Sequence, residues 1–272
     1  DVYKRQLANI DHAPELAAFT LQALVEQGLG GPARELLTLH PEACPPAEDI
    51  DEWRQALAQL PNGRVSWSEL RDTFTRNLAA LRGPHPELAD DLAGDERRLR
   101  DLHLYRAKDG TPLIARRAPG ALRTWLPPLA TTELDATVEL PAGGALPACA
   151  LVGLRAGKTI TTIAQRTARL FLNYSQPLYV LEPDPALLTA ALHVADFADL
   201  LEESRLHWFV GADAVKRFEQ SLAEHPRRAL PQMLFDFTET ADMIAALKSA
   251  VASAEAARRA ATDVIRADLR TR

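Results

Sequence analysis

Glu182 and Asp184, in the string LEPDP, are two carboxylates one residue apart at the end of an apolar run of strand length. In dinucleotide and methyl-donor folds an acid in this place accepts hydrogen bonds from ribose hydroxyls. A close carboxylate pair can also hold a divalent cation when further oxygen ligands join it. Asp184 precedes Pro185 and is placed to cap a helix whose first position suits proline. No such duty accounts for Glu182, so it is the stronger candidate for a ligand-lining residue. Upstream, Gly153-Leu-Arg-Ala-Gly157-Lys158-Thr159 forms a glycine loop before a helical segment. Glycines let backbone approach a ligand, and a helix start offers free N–H groups to an anion. The spacing fits neither GxGxxG nor the phosphate-wrapping GxxxxGK[ST], so ATP hydrolysis is not expected and Lys158 reads as a solvated helix-start residue. Glu182 follows Gly157 by 25 residues, against about 20 in dinucleotide-binding units. Gly211, in FVGADA, ends a third apolar run and is followed by Asp213, the expected cap of the next helix. Asp236, in LFDFT, stands near the end of a fourth run, where it faces either a crevice or solvent.

These residues need a scaffold that gathers strand ends. From Ala148 short apolar runs alternate with helical segments: CALV, Thr159 to Leu172, LYVL, Pro185 to Leu201, LHWFV, Val215 to Leu222 and QMLFDF. This β-α-β-α-β-α-β order predicts an α/β, Rossmann-like open parallel sheet with helices on both faces, because parallel neighbours need crossovers of one hand. Ligands then bind outside the carboxyl ends of the strands. The expected site is therefore Gly153, Gly157, Glu182, Asp184 and Gly211.

The segments ahead of the sheet read differently. Helices are expected over Pro14 to Gln27, ended by Gly28, Gly30 and Gly31, then from Pro32 until Pro41, Pro45 and Pro46, then over Ile50 to Leu60 with Trp53, Leu57 and Leu60. No second copy at a fixed period marks a helical repeat. Trp67 to Leu81 forms an amphipathic stripe of Trp67, Leu70, Phe74, Leu78 and Leu81, with Ser66 or Ser68 as cap and Pro84 and Pro86 as stops. His103 to Arg117 predicts a β-hairpin about Asp109-Gly110, a dipeptide suited to a type I′ turn. Pro127 to Pro147, with Gly143 and Gly144, is a connector. Asp242 to Arg272 is a long Ala-rich helix. The expected organisation is a helical unit over 1–62, a helix, hairpin and connector over 63–146, the Rossmann-like domain over 147–240, and a C-terminal helix over 241–272 that leads to a further domain. The chain lacks an initial Met and reads as a fragment; its opening DVYKRQ is set aside as a leader.

Composition bounds the function. At 47% hydrophobic and 25% charged the chain is globular. No apolar run reaches the ~18 residues that cross a bilayer, and no signal-peptide pattern is present, so a cytoplasmic location is expected. Net charge is −6, with basic residues scattered among acids, which argues against a nucleic-acid partner. Cys44 and Cys149 are too few for a disulfide framework or a zinc site, and no GxSxG, HExxH or CxxC occurs. The seven histidines show no metal-ligand spacing, and no general acid or base can be named.

The strings TFTRNLAALRGPHPELADDL, HLYRAKDGTPLIARR, ALVGLRAGKTI, LYVLEPDPALLTAALHVADFADLL and LHWFVGAD carry a resemblance to a known family. Over about Trp67 to Phe237 the chain resembles the Maf motility accessory factors and the related CgeB-like bacterial glycosyltransferases, whose Rossmann-like domain is similar to an archaeal-type pterin diphosphokinase. The resemblance implies a nucleotide or nucleotide-sugar pocket lined by Gly153, Gly157 and Glu182, in an enzyme or accessory factor that glycosylates flagellin or other surface protein. Arg155 and Ala156 interrupt the family's closely spaced glycines, and TWLPPLATTEL stands where the family carries yLHSxyDP; both departures point to an accessory module. Two other expectations remain: an S-adenosylmethionine-dependent methyltransferase using the same loop and carboxylate, and a scaffold whose terminal helices hold partner domains.

Overall fold

In a computed structural model the chain is described for residues 14–44, 50–94, 96–108, 110, 112–118, 121–125, 145–154, 158–167, 175–236 and 241–271. Gly157, Arg155, Ala156, Asp109 and the connector through Gly143 and Gly144 lie outside these residues, as does the expected helical stretch 168–172.

The second half is a four-stranded parallel sheet of β5 (Cys149–Val152), β6 (Leu178–Glu182), β7 (Leu206–Val210) and β8 (Met233–Asp236), in the order β7-β6-β5-β8. Side chains alternate between its two faces, and both faces are covered. Cys149, Leu151, Leu178, Val180 and Phe235 pack with α6 (Lys158–Arg166) and α7 (Pro185–Val194), and α4 (Arg71–Arg82) and α5 (Pro86–Ala93) join the same cluster. Ala150, Val152, Tyr179, Leu181 and Phe209 pack with α9 (Ala214–Glu224) and α10 (Ala241–Thr271). The crossovers by α6 and α7 thus lie on one face and that by α9 on the other. Such a change of face reverses the winding between β5 and β8 and defines the sheet as Rossmann-like.

The first half is a second, antiparallel sheet: β1 (Arg64–Val65), β2 (Leu102–Arg106), β3 (Pro112–Ala118) and β4 (Ala121–Trp125), in that order. Leu102, Leu104 and Ile114 face Ala186 and Ala190 of α7. On the opposite face Tyr105, Leu113 and Ala115 meet α1 (Pro14–Glu26), α2 (Gly30–Leu39) and α3 (Ile50–Gln59). The small sheet is therefore sandwiched between the helical unit and the Rossmann-like half. Among the described residues no helix is long and apolar enough to cross a membrane.

Several local expectations are corrected. The hairpin register ends with Arg106 paired to Pro112, and the turn expected at Asp109-Gly110 includes Asp109 and Thr111, which lie outside the described residues. Lys108 N–H donates to Gln27 O at 3.1 Å, which ties the chain just past β2 to the end of α1. Gly110 still takes φ 85°. Gly30 and Gly31 open α2 instead of closing α1, and they are held to glycine by close approach: a Cβ there would lie 2.8 Å from Pro61 O or 2.5 Å from Asn62 O. The Trp67 stripe splits into a 3₁₀ turn, Trp67–Leu70, started by a Ser66/Glu69 capping box, followed by α4. Pro86 opens α5 as its first residue. The expected helix Pro185 to Leu201 breaks after Val194 and resumes as α8 (Ala198–Leu201).

Candidate functional site

The parallel register brings three of the expected site residues to one edge. Val152 pairs with Leu181, and Glu182 pairs with Val210, so Gly153, Glu182 and Gly211 all stand at the carboxyl ends of neighbouring strands. Gly153 N–H donates to Leu181 O and Gly211 N–H to Glu182 O, each at 2.8 Å. Both glycines take positive φ, 84° and 107°, a backbone state that other residues enter only at a cost. The strand ends before α6 and α9 are therefore shaped by backbone conformation as well as by side chains. Asp236 ends β8, next to β5, and is exposed. Gly157 is not among the described residues.

Glu182 has a duty that its position in the sequence does not announce. It is 1% exposed, and its two oxygens accept backbone hydrogen bonds from Leu154 N (2.6 Å) and Asp184 N (2.9 Å). Burial pushes its carboxyl up to about 7, against the pull of those two N–H groups and of Arg116. A carboxylate enclosed in this way lies in the wall behind the loop.

Asp184 does cap α7: its Oδ1 accepts from Ala186 N at 2.9 Å, with Pro185 at the first helical position. Its Oδ2 accepts from Arg116 of β3 at 2.5 Å in a partly buried ion pair. Arg116 is a residue that sequence reasoning missed. It docks the antiparallel sheet onto the mouth of the parallel one, and nothing in its local string marks it out. Asp213, by contrast, makes no side-chain cap to α9 and pairs with Arg217 at 2.8 Å; that hydrogen bond holds its carboxyl below the usual carboxylate range.

Glu182 and Asp184 do not form a cation site with a third ligand. Among the described residues no group of three or more His, Cys, Asp or Glu could hold a metal ion. An open cleft of about 1100 Å³ lies instead toward the amino ends of the strands, lined in part by Arg76, Thr167, Asp196, Glu203 and Arg205. Its charges are largely spent on one another: Arg76 pairs with Asp196, and Arg205 pairs with Glu203 and donates to Thr167 O and Ala164 O. The chemistry expected of an open α/β sheet belongs to the other end.

No family model matches the chain, and no curated protein or solved structure matches it either.

Proposed function

We propose that the Rossmann-like half binds a nucleotide or nucleotide sugar, as the donor-binding or accessory module of a bacterial Maf/CgeB-like glycosyltransferase acting on surface or flagellar protein. One observation carries the reading: the order β7-β6-β5-β8 puts the reversal of winding between β5 and β8, where Gly153 opens the loop into α6. Ligands of open α/β sheets collect at that crevice, and the backbone N–H groups of a helix start, such as that of α6, suit a diphosphate. The strings from Thr73 to Asp213 supply the family part of the proposal. The methyltransferase alternative draws less support, since it asks a buried Glu182, already holding two backbone N–H groups, to reach ribose hydroxyls.

Calorimetric titration with UDP-, GDP- and CMP-sugars tests it. Binding is expected for at least one of them, weakened about tenfold or more in Gly153→Val, because a branched residue is strained at positive φ and crowds the ligand side of the loop. No heat from any donor, with the fold intact by circular dichroism, contradicts the reading. Heat from S-adenosylmethionine alone would transfer it to the methyl-donor class.

A further inference from the structure

We propose that Glu182 is a positioning residue, a latch that ties Leu154, just past β5, to the turn into α7 and loosens its hold on one of them when its carboxylate takes up a proton. Its meaning for ligand binding rests on the function proposed above, since Leu154 follows Gly153 at the proposed crevice.

The geometry is a bridge across two segments distant in sequence. Glu182 Oε2 accepts from Leu154 N, just past β5, while Oε1 accepts from Asp184 N, at the turn into α7. Gly153 N–H is fixed to Leu181 O, so strand pairing holds the chain through residue 153. At the next residue, Leu154, the backbone N–H is held by the Glu182 carboxylate and not by the sheet. An ionised carboxylate accepts at both oxygens. A protonated one turns one oxygen into a hydroxyl, a much poorer acceptor without the charge, so the N–H bond at that oxygen weakens. Either Leu154 or the turn into α7 is then held less firmly.

The surroundings permit both states. Burial favours the neutral acid, while the two N–H groups favour the carboxylate. The charged groups acting on it are Asp184 in the following turn, which raises its proton affinity, and Arg116 from β3, which lowers it. Beyond β7, Asp213 and Arg217 are paired with each other. With its carboxyl pushed up to about 7, Glu182 changes charge across the neutral range. A rise in pH through that range closes the latch, and a fall opens it.

Amide hydrogen exchange on the ligand-free protein, read residue by residue by NMR and corrected for intrinsic rates, tests this from about pH 5.5 to about pH 8.5. Protection at Leu154 or Asp184 is expected to fall about tenfold on acidification, the loss of one charge-assisted bond. Gly211, bonded to a backbone carbonyl, serves as the unchanged control. In Glu182→Gln the protection should be low and independent of pH. In Arg116→Gln the midpoint should move to higher pH. Protection at both amides that does not vary with pH in the native sequence overturns the proposal, and that series decides even if Glu182→Gln fails to fold. Because no ligand is present, failure of nucleotide sugars to bind would leave this result standing, and a latch that ignores pH would leave their binding untouched.

Discussion

Asn77 shows how much one side chain can organise. It is fully buried on α4; its Nδ2 donates to Leu192 O and Ala195 O at 2.7 Å each, and its Oδ1 accepts from Phe197 N at 2.8 Å. A single amide thereby satisfies the end of α7 and the start of α8, which is why the expected continuous helix breaks there. Asn77→Ala leaves two carbonyls and one N–H buried without partners and should cost about 3 kcal/mol in urea unfolding. Asn77→Asp should cost at least as much, because one carboxylate oxygen would face the two carbonyls. A polar residue three positions after Phe74, inside an apolar stripe, was the available signal for Asn77. Glu182 was singled out by its place after a strand, but its duty depends on Leu154, whose N–H comes near only once β5 and β6 are paired. Arg116 left no trace of its own, since its partner Asp184 lies 68 residues on, at the cap of α7.

The glycines of the helical elements separate close approach from spare flexibility. At Gly31 an added Cβ would sit 2.5 Å from Asn62 O, so Gly31→Ala must push the 60–62 segment off α2 and should destabilise by about 1 to 3 kcal/mol. Gly83 and Gly94 have ordinary helical φ, and the nearest atom to a new Cβ is 3.7 Å away at each. Gly83→Ala should therefore raise the unfolding free energy by about 0.5 to 1 kcal/mol, through the lower entropy of the unfolded chain. Thermal or urea melts of the two variants check the contrast, and equal effects would refute it. The four parallel strands were legible because each is a short, mostly apolar run between helical segments. Strand β4 was not: ALRTW is short and mixed, and only its pairing with β3 makes it a strand. A helix starts at Gly30 where a stop is expected, because a breaker residue marks a boundary without saying on which side the helix lies.

Two buried groups give the folded chain opposing responses to acid. Burial holds His207 down at about 4, so the unfolded chain takes up its proton first and stability falls as pH drops from about 6.5. Glu182, pushed up to about 7, stays protonated in the fold while the unfolded chain ionises near pH 4.5, so stability falls as pH rises through that window. Each shift corresponds to a swing on the order of 3 kcal/mol, and between about pH 4.5 and 6.5 the two oppose one another. Unfolding of Glu182→Gln should therefore gain stability from pH 5 to about pH 6.5 more steeply than the native sequence; parallel profiles would remove Glu182 from the balance. The layering of helical unit, antiparallel sheet and Rossmann-like half was only partly legible, since the sequence shows where elements lie along the chain and not that α7 packs against both sheets. The crevice between β5 and β8 follows from strand order alone, so its use is open to direct measurement. Titration of isotope-labelled protein with UDP, followed by backbone amide shifts, should move Gly153, Leu154, Lys158 and Asp236 together and saturably. Shifts confined to the cleft around Thr167 and Arg205, or none at all from a folded sample, would contradict a ligand site at the carboxyl ends of the strands.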